Sequence, residues 1–303
     1  MKYLVIGAGG TGAPIAFYMT KAQKDVTLIA RGKAYEKIKE DGLTVEYADN
    51  ASETVKVKVS KEEEYTGTPD VIFVCVKAYS IDEIVPFLKR IVKPETVVIP
   101  LLNIFTTGEY LAQKLPLNLV TDGCIYISAN IKVPGVISMH GKIFRVVFGT
   151  RDNADRCATL ETAEKDLKES DITGILSDNI KRDALRKFSY VSAAAACGLY
   201  YDSLADRMQN DGKERRLFSS LIEEITALSN AMGIDLEENM VKVNLAILDK
   251  LAPTAGTSMQ RDIEKGGRSE IDGLIHEVVR LSEKYGIELK NYKMISQKFS
   301  HLH

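Results

Sequence analysis

Residues 2–12 read Lys2-Tyr3-Leu4-Val5-Ile6-Gly7-Ala8-Gly9-Gly10-Thr11-Gly12. An apolar run of strand length meets a glycine cluster spaced G-x-G-x-x-G. The stretch Thr11–Lys21 continues with the three-and-four apolar spacing of a helix, and a second aliphatic run, Val26–Ala30, ends about twenty residues further on. Strand, glycine turn, helix and strand in that order form the opening unit of a dinucleotide-binding sheet. Gly7 allows the tight turn, Gly9 lets backbone approach a pyrophosphate, and Gly12 lets the helix lie close to the strand. Gly10 and Thr11 complete the loop, and the N–H groups at the helix start face the phosphates. A glycine turn without a ligand is the plainer alternative, and the strand and helix on either side weigh against it.

The alternation continues outward. Val71–Val76 and Thr96–Leu102 are further strand-length runs, with helical spacing over Ile81–Val92 and Thr107–Lys114. This predicts a parallel sheet with helices on both faces. Leu43–Tyr47 and Val55–Val59 alternate at period two and suggest an inserted antiparallel hairpin. Cys124–Ile131, Val136–His140 and Lys142–Phe148 also read as strands, with turns at Pro134-Gly135 and His140-Gly141. Beyond about residue 175 strand runs give way to long helical stretches at Asn179–Tyr200, Lys213–Met232, Glu237–Leu251 and Glu270–Tyr285. The expectation is an α/β dinucleotide-binding domain over 1–175 and an all-helical domain over 176–303.

Composition narrows the partners. The 303 residues are 45% hydrophobic and 27% charged, with a formal net charge of -2, which offers nothing to nucleic acid or an anionic membrane. No apolar run approaches the roughly 18 residues of a spanning helix, and no signal-peptide cleavage pattern is read at the start, so a cytoplasmic protein is expected. Cys75, Cys124, Cys157 and Cys197 are scattered and read as reduced small hydrophobes. The four histidines form no zinc-binding pattern, so no metal is expected.

Three charged residues stand out. The second strand ends in Ala30-Arg31-Gly32-Lys33, where NAD enzymes place an acid for the ribose 2′-hydroxyl. Arg31 can instead pair with a 2′-phosphate through parallel hydrogen bonds, which favours NADP. It can also be only a solvated charge, and Lys33 is a lesser second contact. Lys187 shares a helix face with Ala184, Tyr190, Val191, Ala194 and Ala195. An ammonium in an apolar stripe calls for a partner or a task, and burial would make it a better proton donor near neutrality; at the stripe's edge it would simply reach water. Glu270 lies in Ser269-Glu270-Ile271-Asp272, where Ser269 and Asp272 fit a capping box and an acid suits the first helical turn. That reading accounts for Glu270 without any site.

These features occur together in one family. The chain resembles the ketopantoate reductases (2-dehydropantoate 2-reductases) along nearly its whole length. The resemblance rests on the Gly7–Gly12 loop, Arg31, Val76-Lys77-Ala78, Asn103 and the Pro134-Gly135 to His140-Gly141 hairpin. It continues through Leu185-Arg186-Lys187, then Thr257-Ser258-Met259-Gln260-Arg261-Asp262-Ile263 leading to Ser269–Asp272. It implies a Rossmann-type NADP-binding domain followed by a helical domain like the C-terminal one of 6-phosphogluconate dehydrogenase, with the active site in the cleft between them. It implies that Lys187 protonates the ketone oxygen as hydride arrives and that Glu270 assists through hydrogen bonds. Asn103 would position substrate and cofactor, Ser258 would contact substrate, and Lys77 would lie on the cofactor side. A place in pantothenate biosynthesis, on the way to coenzyme A, comes with the same resemblance, as does a homodimer as one option for assembly.

The departures lie on the substrate side. Family members carry asparagines one and two turns after the lysine, where this chain has Val191 and Ala195. A further asparagine before the serine block is matched by Ala255 or its neighbours, and the asparagine–glycine pair after the fifth strand is Asn103-Ile104 here. Loss of groups that pair a substrate's polar atoms changes substrate preference. The leading expectation is therefore NADPH-dependent reduction of ketopantoate, a small 2-oxo acid, and the second is reduction of another, less polar or larger, 2-oxo acid. A dinucleotide-binding sensor without turnover is the third, and the presence of both Lys187 and Glu270 argues against it.

Overall fold

In the computed structural model, which describes residues 1–116, 118–152 and 155–302, Lys2–Ile6 is strand β1 and is buried on both faces. Tyr3 and Val5 enter one apolar cluster, Leu4 and Ile6 another, as the two-residue period of a strand requires. Along the chain follow α1 (Gly12–Lys21), β2 (Asp25–Ile29), α2 (Gly32–Asp41), β3 (Leu43–Glu46), β4 (Ser52–Val55), β5 (Lys58–Ser60) and β6 (Val71–Val74). Then come α3 (Ile81–Ile91), β7 (Val97–Pro100), α4 (Thr107–Lys114), β8 (Leu119–Val120), β9 (Asp122–Val133), β10 (Val136–Gly149), α5 (Ala158–Glu169) and β11 (Thr173–Leu176).

Six of these strands form a sheet in the order β5-β2-β1-β6-β7-β8, with every adjacent pair parallel. This is a Rossmann-like sheet. One face packs on α1 and on a second sheet, β11-β10-β3-β4 with β9 beside β10; the other packs on α3 and α4. Both faces being covered is why its strands read as near-continuous aliphatic runs.

Two local expectations differ from what is observed. Val55–Val59 does not form one arm of a hairpin: β4 ends at Val55 and pairs antiparallel with β3, while β5 begins at Lys58 and adds a parallel edge to β2. The alternation that looked like one strand spans a crossing between sheets. His140-Gly141 does not end a strand either. It is an irregularity inside β10, where the register against β9 shifts between Met139 and Phe144 and Gly141 takes φ +96.

Polar groups pin α5 to this unit. The Asp166 carboxylate accepts from Tyr3 Oη at 2.5 Å and from Lys24 Nζ at 2.7 Å. Burial raises its pKa, but these two bonds outweigh that and hold it below the usual carboxylate range. A depressed folded-state pKa gives stability that is complete above the unfolded value of about 3.9 and is lost as pH falls through the folded one. Asp166→Asn should therefore destabilise the protein by about 1–3 kcal/mol at pH 7, the scale of a charge-assisted bond. That deficit should shrink below about pH 4, as parallel denaturant titrations at the two pH values will read.

The chain divides into two compact units: Met1–Leu102 with Thr106–Ile180, and Asn103–Phe105 with Lys181–His303. The second is helical. It contains α6 (Ile180–Tyr201, whose first residue belongs to the first unit), α7 (Ala205–Gln209), α8 (Lys213–Ala231), α9 (Met240–Leu248) and α10 (Ser258–Glu264). A π turn over Asp272–His276 leads into α11 (Glu277–Lys284), and α12 (Lys290–Lys298) follows. Leu221, Ile222, Ile225 and Leu228 of α8 are fully buried. Glu224 of the same helix accepts from the backbone N–H groups of Asn291 and Tyr292 and so caps the start of α12. Among the described residues no helix is long and apolar enough to cross a membrane.

Candidate active site

In the first unit the glycine loop has the shape its spacing predicts. Gly7 has φ +110, and a Cβ there would stand 2.8 Å from the Cys75 carbonyl oxygen. A Cβ on Gly12 would strike the Gly7 carbonyl oxygen and lie 2.9 Å from Cys75 Cβ. Gly9 differs: nothing lies within 4 Å of where its Cβ would be. Backbone bordered by open space, next to a helix start whose Thr11 side chain makes no capping bond, fits a pyrophosphate cradle. Gly10 has a further reason to be glycine, since its Cβ would be 2.5 Å from the Ala129 carbonyl oxygen of β9. That contact joins residues more than a hundred apart in sequence and leaves no local trace.

Arg31 stands at the N-cap of α2 with extended backbone. Its side chain is 81% exposed, and its Nη1 lies 3.5 Å from Glu83 Oε2. An exposed pair of this kind contributes at most about 1 kcal/mol and leaves the guanidinium available to an anion. Lys33 is also exposed, and Lys77 is half-buried at the entrance to the 3-10 turn Ala78–Ser80.

In the second unit Lys187 is half-buried on α6, and its Nζ donates to Asn103 Oδ1 at 2.7 Å. Two residues 84 apart in sequence are thus brought together. Next to them the Phe105 and Phe188 rings lie 6.2 Å apart at 44°. Glu270 is 4% exposed and stands just before the π turn, its carbonyl accepting from Leu274 N at 2.9 Å. The capping box expected around it is replaced by another arrangement. Ile271 occupies the N-cap without a side-chain cap, and both Asp272 oxygens accept from Arg280 at 2.8 and 2.9 Å. The strong bidentate pair takes the carboxylate that the box would have used. Ser258 is the first residue of α10, where the reciprocal capping box belongs to Thr257 and Gln260.

On the face where the amides are missing, Val191 is half-buried and Ala195 has no exposed surface. Ser192 and Asn244 do not stand in for them. Ser192 is fully buried; its Oγ donates to the Leu274 carbonyl and accepts from Tyr292 Oη, each at 2.6 Å. Asn244, 1% exposed, donates to Ser189 Oγ at 2.9 Å. Tyr190 is half-buried with its ring edge-on to Phe218, and burial pushes its hydroxyl up to about 12, so the phenol keeps its proton.

Comparison with known proteins gives the family. Residues 3–153 match the family model of ketopantoate reductase PanE/ApbA, and residues 179–303 match the model of its C-terminal domain. An uncharacterized oxidoreductase of Bacillus subtilis, YkpB, is 26% identical over 276 residues, 90% of this chain and 89% of its own. Among solved structures, 2-dehydropantoate 2-reductase of Methylococcus capsulatus superposes with a TM-score of 0.88 at 23% identity, covering 99% of this chain and 96% of that one. D-mandelate dehydrogenase in its ternary structure with NADH and anilino(oxo)acetate gives 0.88 at 20% identity, over 98% and 96%. The chain belongs to the ketopantoate reductase family of oxidoreductases.

Proposed function

We propose that the protein is an NADPH-dependent reductase of 2-oxo acids, with conversion of 2-dehydropantoate to pantoate as the leading reaction and hence a place in pantothenate biosynthesis. The observation that carries this reading is the Lys187–Asn103 hydrogen bond, an oriented ammonium on an otherwise apolar helix face. Gly7, Gly9, Gly10, Thr11 and Gly12 would hold the pyrophosphate of NADPH, Arg31 its 2′-phosphate, and Lys77 and Asn103 would stand on its nicotinamide side. When bound, that cofactor supplies the hydride. Lys187 gives a proton to the ketone oxygen, and before transfer its charge stabilises the negative charge growing there. Asn103 orients the ammonium, Glu270 holds Lys187 or the substrate hydroxyl by hydrogen bonding, and Ser258 contacts the substrate.

Val191 supports a second reading in which the substrate is a less polar 2-oxo acid. With Ser192 and Asn244 sealed in the core, neither supplies the missing amides, and Tyr190, next to Val191 in sequence, keeps its phenolic proton. NADPH oxidation across ketopantoate, 2-oxoisovalerate and phenylglyoxylate separates the two. A kcat/KM highest for ketopantoate supports the first and highest for 2-oxoisovalerate or phenylglyoxylate the second, while no turnover of any of the three counts against both. The same assay tests the cofactor. Arg31→Ala should raise the KM for NADPH about tenfold or more, the loss of a charge-assisted pair, and leave that for NADH within about twofold. Equal changes for both would remove Arg31 from the 2′-phosphate.

A further inference from the structure

The tripeptide Asn103-Ile104-Phe105 belongs to the helical unit although the residues on either side of it do not. Its middle member, Ile104, stands where the resemblance implies a glycine. Ile104 is 8% exposed, and its side chain fills the space that any side chain at position 273 would need. A Cβ built on Gly273 would lie 2.5 Å from Ile104 Cδ1, 2.8 Å from Cγ1 and 2.9 Å from Cγ2. Gly273 is the second residue of the π turn, three positions after Glu270. Such turns widen a helix locally and recur at functional sites. One contact therefore joins two short segments: Ile104 directly follows the asparagine that accepts from Lys187, and Gly273 sits in the turn that Glu270 opens.

We propose that Ile104 is a positioning residue for proton delivery. Seated against Gly273, it fixes the register between the Lys187–Asn103 pair and Glu270. Large at 104 and absent at 273, the two side chains are complementary in volume, so this chain reaches a filled site where a glycine at 104 would leave a void. Misplacement of a reacting group by about 1 Å costs on the order of a hundredfold in rate. The inference rests on the roles proposed above for Lys187 and Glu270.

The test is a double-mutant cycle with Ile104→Ala and Gly273→Ala, read by kcat, by KM for NADPH and by melting temperature. Ile104→Ala should lower kcat about tenfold or more, with the KM for NADPH within about twofold. Gly273→Ala should do likewise, because its methyl displaces Ile104. Combining them should recover at least about fivefold in kcat over Gly273→Ala, since the new methyl enters the vacated space, and the melting-temperature changes should be non-additive in the same sense. Ile104→Val, which keeps most of the volume, should stay within about threefold of wild type and serves if the alanine variants fold poorly. Folded single variants with wild-type kcat, a Val variant as impaired as the Ala one, or a double variant no better than Gly273→Ala would each overturn the proposal while leaving the general-acid assignment intact. A wild-type protein that reduces none of the three 2-oxo acids overturns that assignment first, and this role with it.

Discussion

On the proposed mechanism, Lys187→Ala should lower kcat for 2-oxo acid reduction by about a thousandfold or more and change the KM for NADPH little. Positioned general acids contribute about 10²–10⁴ in rate, and a charge aimed at a developing oxyanion about 3–4 kcal/mol. The proposed mechanism draws both contributions from one ammonium, so deletion should remove them together. The KM for NADPH should hold because the groups proposed to bind it lie chiefly in the glycine loop and at Arg31. Lys187→Arg restores charge but not an acid able to release its proton near neutrality, and the planar guanidinium does not reproduce the geometry of an ammonium donating to Asn103 Oδ1. It should recover no more than about tenfold. The fold should tolerate the alanine, which suits a helix interior and removes a charge from an apolar face; a melting temperature within about 3 °C of wild type, or above it, separates chemistry from stability. Steady-state NADPH oxidation decides it: a folded Lys187→Ala protein within tenfold of the wild-type kcat sinks the mechanism.

How legible such a site is depends on the kind of information each part carries. The glycine loop is readable because part of its constraint is local: Gly7 takes a left-handed φ at a turn and Gly12 abuts the Gly7 carbonyl oxygen, although both also pack on the distant Cys75. The parallel sheet is readable because burial on both faces forces aliphatic runs. Lys187 is visible as a charge in an apolar stripe. Its partner is not, because Asn103 lies in a loop 84 residues away, placed by tertiary packing. The same holds for Gly10 against Ala129, Arg31 beside Glu83, and Ile104 against Gly273. Helical periodicity over 270–285 predicts a regular helix, and the π turn within it escapes notice because one extra residue per turn barely disturbs a three-and-four pattern. Around Ser269 and Asp272 local propensity pointed to a capping box, and a longer-range pair with Arg280 took precedence.

The loop offers the second large effect, and it divides cleanly because one methyl group placed at two glycines meets two different surroundings. At Gly9 the added Cβ enters open space, and the backbone is outside the left-handed region, so Gly9→Ala strains nothing. Loss of a glycine's unfolded-state freedom should even stabilise it slightly, by about 0.4–1 kcal/mol. If that open space is where a pyrophosphate approaches, the methyl displaces it and weakens one or two charge-assisted bonds to backbone N–H groups. At about 1.5–3 kcal/mol each, the dissociation constant for NADPH should rise about a hundredfold. At Gly12 the same methyl strikes the Gly7 carbonyl oxygen and presses on Cys75 Cβ and Val5 Cγ1, all held by β1 and its neighbour. The helix propensity gained by alanine, about 1 kcal/mol, is smaller than the overlap with a backbone that cannot move aside. Gly12→Ala should therefore lose about 3 kcal/mol, or about 6–12 °C in melting temperature for a unit of this size. Titration of NADPH by fluorescence alongside thermal unfolding reads both variants. Should Gly9→Ala bind NADPH as wild type does, the loop is a structural turn and the dinucleotide site lies elsewhere. Should Gly12→Ala melt with the wild type, the strand–helix contact does not carry the stability assigned to it.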